Sequence, residues 1–187
     1  MPILNCDTLI ADCLETAFEI KKYTEIIESV AKEDFKATSD FRKNFNGFYR
    51  VRQRSVAWYN CYYKLMEKRS SSFDFVLQKM YEDTNRIEPS FSSKLVSAVN
   101  PELPIWDKYV LENLGLKMEW DNCQNQNSEI RLKKAIEIYG KILLWYDEYI
   151  KSDSGKNCIE KFDEVLPKYK DKLTSVKKID YLLWSKR

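Results

Sequence analysis

One aspartate follows two prolines in the stretch PELPIWD, residues 101–107, where an apolar helical pattern restarts. A carboxylate that faces a reactive site can stabilise developing positive charge or accept a proton. The same side chain at the start of a helix can instead accept hydrogen bonds from the first backbone N–H groups and cap the helix. The sequence therefore leaves two roles open for Asp107, a catalytic carboxylate and a helix cap.

A lysine precedes this aspartate in the neighbouring apolar run FSSKLVSAV, where it is Lys94. An amine becomes a good nucleophile when its surroundings lower its pKa, whereas a solvated lysine contacts phosphate groups or water. Asp107 is thus the first candidate for catalysis in this chain, and Lys94 is the second.

The composition excludes several other kinds of site. The chain has no histidine, which removes Ser-His and Cys-His nucleophile pairs and HEXXH zinc sites. Its four glycines form no GxGxxG or Walker phosphate loop. Its five cysteines are dispersed without a CxxC spacing, which argues against a disulfide framework and an iron–sulfur site. We expect no metal ion, no cofactor, and reduced thiols in a cytoplasmic protein.

Three arginines and several aromatic residues lie close together in FYRVRQRSVAWYNCYYK, residues 48–64. If this run is helical, Arg50 and Arg54 share one face and Arg52 points away. Guanidinium groups beside aromatic rings suit phosphate contact and stacking on an unpaired base. The alternative is that the aromatic rings fill the core while the arginines pair with an acidic helix.

The charges are unevenly distributed along the chain, although the net charge is only +2. Residues 1–35 carry three basic and eight acidic side chains, a balance of −5. Residues 36–69 carry nine basic and two acidic side chains, a balance of +7. This contrast favours a polyanionic partner for the second segment.

Apolar residues recur at spacings of three and four along most of the chain, and no segment alternates as a strand does. The chain is therefore predicted to be all-α. The predicted elements are a helix over 7–30 capped by Asp7, a short helix within 34–48, helices over 49–69, 73–82, 89–99 (beginning at Pro89), 107–114 (ending at Gly115), 128–150 (capped by Ser128), 156–170 and 175–185, and a surface loop at 117–128.

The length predicts one domain over residues 1–187. A division into two helical lobes, residues 1–70 with the C-terminal helices and residues 71–127, is the alternative. No segment has the roughly 18 apolar residues that a membrane span needs, and the first residues lack a signal-peptide pattern. We expect a cytoplasmic protein that does not bind a membrane.

Two predicted helices joined by a turn, FDFVLQKMYEDT, NRIEPS and FSSKLVSAV, are followed by LPIWDKYV. Over residues 73–115 this order resembles the helix-hairpin-helix DNA glycosylase superfamily, particularly its oxoguanine glycosylase-like branch. In that superfamily an apolar-Pro-apolar-Asp segment follows the hairpin, and its aspartate caps a helix at the lip of the base pocket. The resemblance implies a compact DNA glycosylase-like fold, DNA as partner, and Asp107 as the carboxylate that helps to excise a damaged base.

The same resemblance, with the arginine-rich run, assigns candidate binding residues. Contacts to nucleic acid are expected from Arg50, Arg52, Arg54, Arg86, Ser90 and Ser92. An extruded base is expected to lie against Trp58, Tyr62, Trp106 and Tyr109.

Two features depart from the superfamily pattern. Its bifunctional members carry a nucleophilic lysine at the start of the second hairpin helix, two residues before a small residue; if Ser93 is that residue, Phe91 occupies the lysine position. The hairpin between residues 85 and 94 also lacks glycine. Two alternatives to an enzyme therefore stay open: a non-catalytic helical binding module, and a protein–protein adaptor whose residues 48–69 bind an acidic protein.

Overall fold

The structure is a computed structural model, and it describes residues 5–185. This part of the chain folds into eleven α-helices and one short 3₁₀ helix, with no β-strand, which confirms the all-α prediction. The helices, numbered in chain order, are α1 (Cys6–Glu15), α2 (Ala17–Ala31), α3 (Ser39–Phe48), α4 (Val56–Glu67), α5 (Phe73–Thr84), α6 (Pro89–Val99), α7 (Lys108–Leu114), α8 (Lys117–Asp121), α9 (Ser128–Lys151), α10 (Asp153–Val165) and α11 (Ser175–Ser185), with the 3₁₀ helix at Pro167–Tyr169. Residues 1–4 and 186–187 of the predicted domain lie outside the described residues.

Several helices begin at a side chain that accepts a hydrogen bond from a backbone N–H group of the first turn. Two of the predicted caps are wrong. α1 begins after Asn5 rather than at Asp7, and the Asn5 side chain accepts a hydrogen bond of 3.1 Å. α9 begins after Asn127 rather than Ser128, with a corresponding bond of 3.0 Å. Asparagine, aspartate and serine cap helices about equally well, so local sequence does not decide between close neighbours.

The predicted single helix over residues 7–30 is wrong, because the chain breaks at Thr16 between α1 and α2. The Thr16 hydroxyl donates to backbone oxygens of the preceding turn, those of Asp12 at 3.4 Å and Cys13 at 3.2 Å. The Thr16 carbonyl accepts a hydrogen bond of 2.6 Å from the Tyr181 hydroxyl on α11. A side chain near the other end of the chain thus stabilises the break, and helical periodicity gives no sign of it.

The helix predicted over residues 49–69 begins only at Val56. Arg50 and Gln53 both have a φ of 53°, in the left-handed region, which is incompatible with a continuous right-handed helix. Ser55 then caps α4. The segment between α3 and α4 is therefore a loop, and the arginine-rich run lies in it.

Proline and glycine place the boundaries of α6 and α7 as predicted. Pro89 is the first residue of α6, and Gly115, with a φ of 71°, ends α7 in the left-handed conformation. α5 extends slightly beyond its predicted end to Thr84, where Asn85 terminates it with a φ of 54°. The predicted loop over residues 117–128 contains α8.

Buried apolar side chains from Leu9 to Leu183 form one continuous cluster. In α6, every side chain from Ser92 to Ala98 is buried. This helix packs against α2, α4 and α5, while α7 packs against α11. The connection from α6 to α7, which contains the Pro-Ile-Trp-Asp sequence, contacts α11 where the Ile105 N–H group donates to Asp180 Oδ1 at 3.1 Å.

Candidate functional site

Asp107 is the N-cap of α7, as one of the two sequence interpretations predicts. Its backbone is extended, with φ and ψ of −128° and 162°, and its Oδ1 atom accepts a hydrogen bond of 3.1 Å from the Tyr109 N–H group. This cap uses one carboxylate oxygen. The second oxygen, Oδ2, points toward α6.

Lys94, on α6, meets that second oxygen. Its Nζ atom lies 3.4 Å from Asp107 Oδ2 and 3.1 Å from the Ser90 Oγ atom one helical turn earlier. The Lys94 ammonium also lies 5.6 Å from the ring centre of Tyr49 and 5.4 Å from that of Phe91, within the range of cation–π attraction. The first and second catalytic candidates therefore form one ion pair.

Both partners are largely removed from water. The side chain of Lys94 is 8% exposed and that of Asp107 is 16% exposed. Burial lowers the pKa of Lys94 below its ordinary value of 10.5, and the Asp107 carboxylate opposes this change because it favours the charged ammonium. The effect of burial is larger than that of Asp107. The neutral, nucleophilic form of the amine is therefore easier to reach than in a surface lysine.

A small cleft of about 90 Å³ reaches this pair. Lys94 and Asp107 lie in its wall with four aromatic residues and one arginine, namely Phe48, Tyr49, Tyr109, Trp184 and Arg50. Pockets for drug-sized ligands usually measure about 300–1,000 Å³, so the aromatic side chains must move before a nucleoside can enter. Burial raises the pKa of the Tyr49 phenol, with smaller contributions from the charges of Asp180 and Asp107, so this ring presents a neutral hydroxyl.

Arg50 and Arg54 do not share a helix face, contrary to the prediction, because both precede α4 and lie in a loop. Arg50 is exposed and lies in the cleft wall, and Arg52 is exposed beside it in the chain. Arg54 is only 19% exposed, because it pairs with Glu88 at 3.2 Å. Its guanidinium also packs over the ring of Trp58, with 5.7 Å between them.

The three residues near the α5–α6 turn that were predicted to contact nucleic acid also differ in exposure. Arg86 is 58% exposed and has a long ion pair with Glu88 at 3.7 Å. Ser90 is partly buried and bonds to Lys94, as described above. Ser92 is fully buried and faces the interior, so it does not reach a surface ligand in this structure.

Three of the four rings predicted to receive a base lie in the core instead. Trp58 and Tyr62 are almost completely buried and stack on each other, with ring centres 4.7 Å apart. Trp106 is 3% exposed and packs edge-to-face with Trp120, with ring centres 5.2 Å apart. Tyr109 alone of the four lines the cleft.

The sequence interpretation did not assign the other aromatic walls of the cleft. Phe48 and Tyr49 belong to the FYRVR stretch. Its mixture of aromatic and basic residues is the sequence feature that could have identified them as candidate site residues. Trp184 comes from the last turn of α11, and its ring centre lies 5.2 Å from that of Phe48. Nothing in its local sequence connects Trp184 with Asp107.

No known protein family, curated protein or solved structure gives a significant match to this chain. In the described part of the chain, no helix is both long and apolar enough to cross a bilayer. Between residues 5 and 185 there is also no group of three or more cysteine, aspartate or glutamate side chains placed to hold a metal ion.

Proposed function

We propose that this protein is a DNA-binding N-glycosylase of the helix-hairpin-helix type, in which Asp107 and Lys94 act together on the sugar of an extruded nucleotide. The observation that carries the proposal is the ion pair between Lys94 Nζ and Asp107 Oδ2, 3.4 Å apart in the wall of an aromatic cleft. In this proposal α5, the turn after it and α6 correspond to the helix-hairpin-helix element, and Asp107 before α7 corresponds to its aspartate.

Asp107 would act through its charge. Breaking an N-glycosidic bond builds positive charge on the deoxyribose, and a fixed carboxylate in a partly dry site stabilises that charge more than it would in water. The cap bond from Tyr109 N holds Oδ1, and this leaves Oδ2 directed at the reacting region. The cap and the catalytic role are therefore compatible, because they use different oxygens.

Lys94 would act as the nucleophile. The neutral amine forms a bond from Nζ to C1′, while the bond from C1′ to the base nitrogen breaks and its electron pair leaves with the base, which then takes up a proton. Asp107 Oδ2 is placed to accept the proton that the amine gives up. The lowered pKa of Lys94 supports this role, whereas Phe91, at the position where the resemblance expects a lysine, carries no amine.

Contact with DNA would come from cations that reach solvent beside the cleft. Of the predicted contacts, Arg50, Arg52 and Arg86 are exposed, and Arg50 lies at the cleft itself. One guanidinium group can donate two parallel hydrogen bonds to the oxygens of a phosphate, so these residues suit a nucleic-acid backbone. The extruded base would lie against Tyr49 and Tyr109 after the cleft opens.

The direct test is incubation with short duplexes that carry 8-oxoguanine, uracil or an alkylated base, with borohydride present to trap an amine–sugar adduct. We expect wild-type protein to release one of these bases and to form a covalent adduct that Lys94→Met abolishes. Asp107→Asn should slow base release, since the amide caps α7 but carries no charge. Lys108→Met is the matched control, because its side chain is 63% exposed and next to Asp107 in the chain.

The outcomes separate the alternatives. Base release that survives both Lys94→Met and Asp107→Asn would place the chemistry elsewhere. Binding without release from any substrate would favour the non-catalytic module.

A second experiment measures how DNA binding depends on salt. If the protein neutralises phosphates, binding must weaken steeply between low and moderate salt, and the slope must fall in Arg50→Ala and Arg52→Ala. Salt-independent or absent binding would remove the DNA proposals together.

A further inference from the structure

The connection between α6 and α7 is held mainly by side chains from distant parts of the chain. A segment outside helices and strands leaves its backbone N–H and C=O groups to find other partners. Here Thr174 Oγ1 donates to Pro101 O at 2.8 Å, Tyr139 OH donates to Pro104 O at 2.9 Å, and Trp106 N donates to Ser93 Oγ at 2.8 Å. The path of the chain into Asp107 is thus fixed at several points by α6, α9 and the start of α11.

The centre of this arrangement is an ion pair on α11. Lys177 Nζ lies 2.5 Å from Asp180 Oδ2 and donates to Leu103 O at 2.7 Å. Asp180 Oδ1 accepts a hydrogen bond of 3.1 Å from the Ile105 N–H group and another of 2.8 Å from Tyr146 OH. One pair of side chains therefore holds two backbone groups just before the proposed catalytic aspartate.

A contribution to stability does not by itself explain why an ion pair occupies this buried position. The Lys177 and Asp180 side chains are 1% and 0% exposed, and burial lowers the pKa of Lys177 despite the nearby carboxylate. Buried ion pairs can often be replaced by apolar residues of similar size without loss of stability. Apolar side chains, however, could not bind the carbonyl of Leu103 and the N–H group of Ile105.

We propose that Lys177 and Asp180 are positioning residues: through Leu103 and Ile105 they set the place of the Asp107 carboxylate opposite Lys94. This inference rests on the catalytic role proposed for that carboxylate.

The remaining link is short. Only Trp106 separates Ile105 from Asp107, and its N–H group is bound by Ser93, the neighbour of Lys94 on α6. α11 thus holds one side of the segment and α6 holds the other.

Asp180 also lines a cavity of about 10 Å³ together with Phe48, Tyr49 and Trp184, and the same three rings line the cleft that contains Asp107. A displacement of Asp180 would therefore be transmitted to the cleft through these rings as well as through the backbone.

The test compares two double variants that each change one lysine of α11 and its aspartate partner. Lys177→Met/Asp180→Leu removes the charges and the bonds to Leu103 O and Ile105 N, and leaves no unpaired buried ion. Lys178→Met/Asp163→Leu is the matched control. That pair is also poorly exposed, with 2.6 Å between Lys178 Nζ and Asp163 Oδ1, and it joins α11 to α10 instead of the connection before α7.

The first measurement is amide hydrogen exchange, which needs no catalytic activity. We expect the amides of Ile105, Trp106 and Tyr109 to exchange about tenfold faster in the Lys177/Asp180 variant, while amides of α9 change much less. The control variant should leave these three amides within about twofold of wild type. Equal acceleration in both variants, or acceleration spread evenly over α9, would overturn the positioning role.

The second measurement is single-turnover base release with the substrate that wild type cleaves. We expect the rate to fall about tenfold to a hundredfold in the Lys177/Asp180 variant with little change in DNA affinity, because small misplacements of a catalytic group have effects of this size. The control variant should keep the wild-type rate. An unchanged rate in the Lys177/Asp180 variant would overturn the inference.

Failure of the two proposals can be told apart. A wild-type protein that releases no base refutes the glycosylase proposal, and the exchange comparison then decides the positioning role by itself. If the variant with Asp180→Leu does not fold, Lys177→Met/Asp180→Asn removes the charges and the bond to Leu103 O, while its asparagine can still accept a hydrogen bond from Ile105 N. Its Ile105 and Trp106 amides should exchange about threefold faster, and wild-type exchange in that variant would count against the inference.

Discussion

Two lysine–aspartate pairs in this protein have similar chemistry and different surroundings. Lys177 and Asp180 are 2.5 Å apart and almost completely buried, with exposures of 1% and 0%. Lys94 and Asp107 are 3.4 Å apart and line a cleft, with exposures of 8% and 16%. Burial lowers the pKa of both lysines.

The difference lies in how fully each pair is bonded. Lys177 donates to a serine hydroxyl and a backbone carbonyl besides Asp180, and Asp180 accepts from Ile105 N and Tyr146 OH. Lys94 has two longer contacts, to Ser90 and Asp107. A fully bonded pair holds structure in place, whereas a loosely bonded and desolvated pair at a cleft is suited to exchange a proton or to react.

The largest expected effect is on the fully bonded pair. Lys177→Met leaves the buried Asp180 charge without its cation, so the free energy of unfolding should fall by about 3–5 kcal/mol. Urea unfolding of wild type, Lys177→Met and the double variant with Asp180→Asn measures this. The double variant should recover most of the loss; a single variant that loses less than about 1 kcal/mol would mean that the two pairs do not differ as described.

The next effect concerns the base release that we propose for this protein. Asp107→Asn removes the negative charge but keeps a side chain that caps helices well, so the single-turnover rate should fall about 10²–10³-fold, or about 3–4 kcal/mol in activation free energy. Thermal unfolding should change little in the same protein. A variant that unfolds several degrees earlier and keeps its rate would assign Asp107 to structure alone.

A smaller effect of opposite sign is expected at Lys94. Lys94→Met removes a desolvated charge and should raise the free energy of unfolding by about 1 kcal/mol while abolishing the trapped adduct. The exposed neighbour Lys108 again provides the control, since Lys108→Met should change stability by less than about 0.5 kcal/mol. Destabilisation by Lys94→Met would show that this pair stabilises the fold as the Lys177 pair does.

The smallest effect is a pH dependence. Because the pKa of Lys94 is lowered on folding from 10.5, the folded protein binds fewer protons at this group than the unfolded chain, and stability rises with pH as the group loses its proton. The stability advantage of Lys94→Met over wild type should therefore shrink as the pH rises toward 10.5, the ordinary pKa that this lysine keeps in the unfolded chain. Parallel stability curves, measured by urea unfolding over the same rise in pH, would contradict the lowered pKa.

Local sequence signals predicted much of the framework around the site. Pro89 and Gly115 fixed one end each of α6 and α7, and Asp107 was correctly expected as a cap, because these residues act through their own backbone or that of the next turn. The break at Thr16 was missed, since one of its partners, the Tyr181 hydroxyl, comes from α11. The division into one domain or two lobes stays a prediction.

The sequence by itself determined an all-α protein, a helix that begins at Pro89 and a carboxylate at the start of α7, because helical periodicity and capping depend on residues close together in the chain. Only the tertiary structure decided that Lys94 faces that carboxylate, that Trp58 and Trp106 belong to the core, and that α11 holds the connection before Asp107. A periodic pattern shows which face of a helix is buried. It does not show which helix covers that face, since the partner is chosen by packing between residues far apart in the chain.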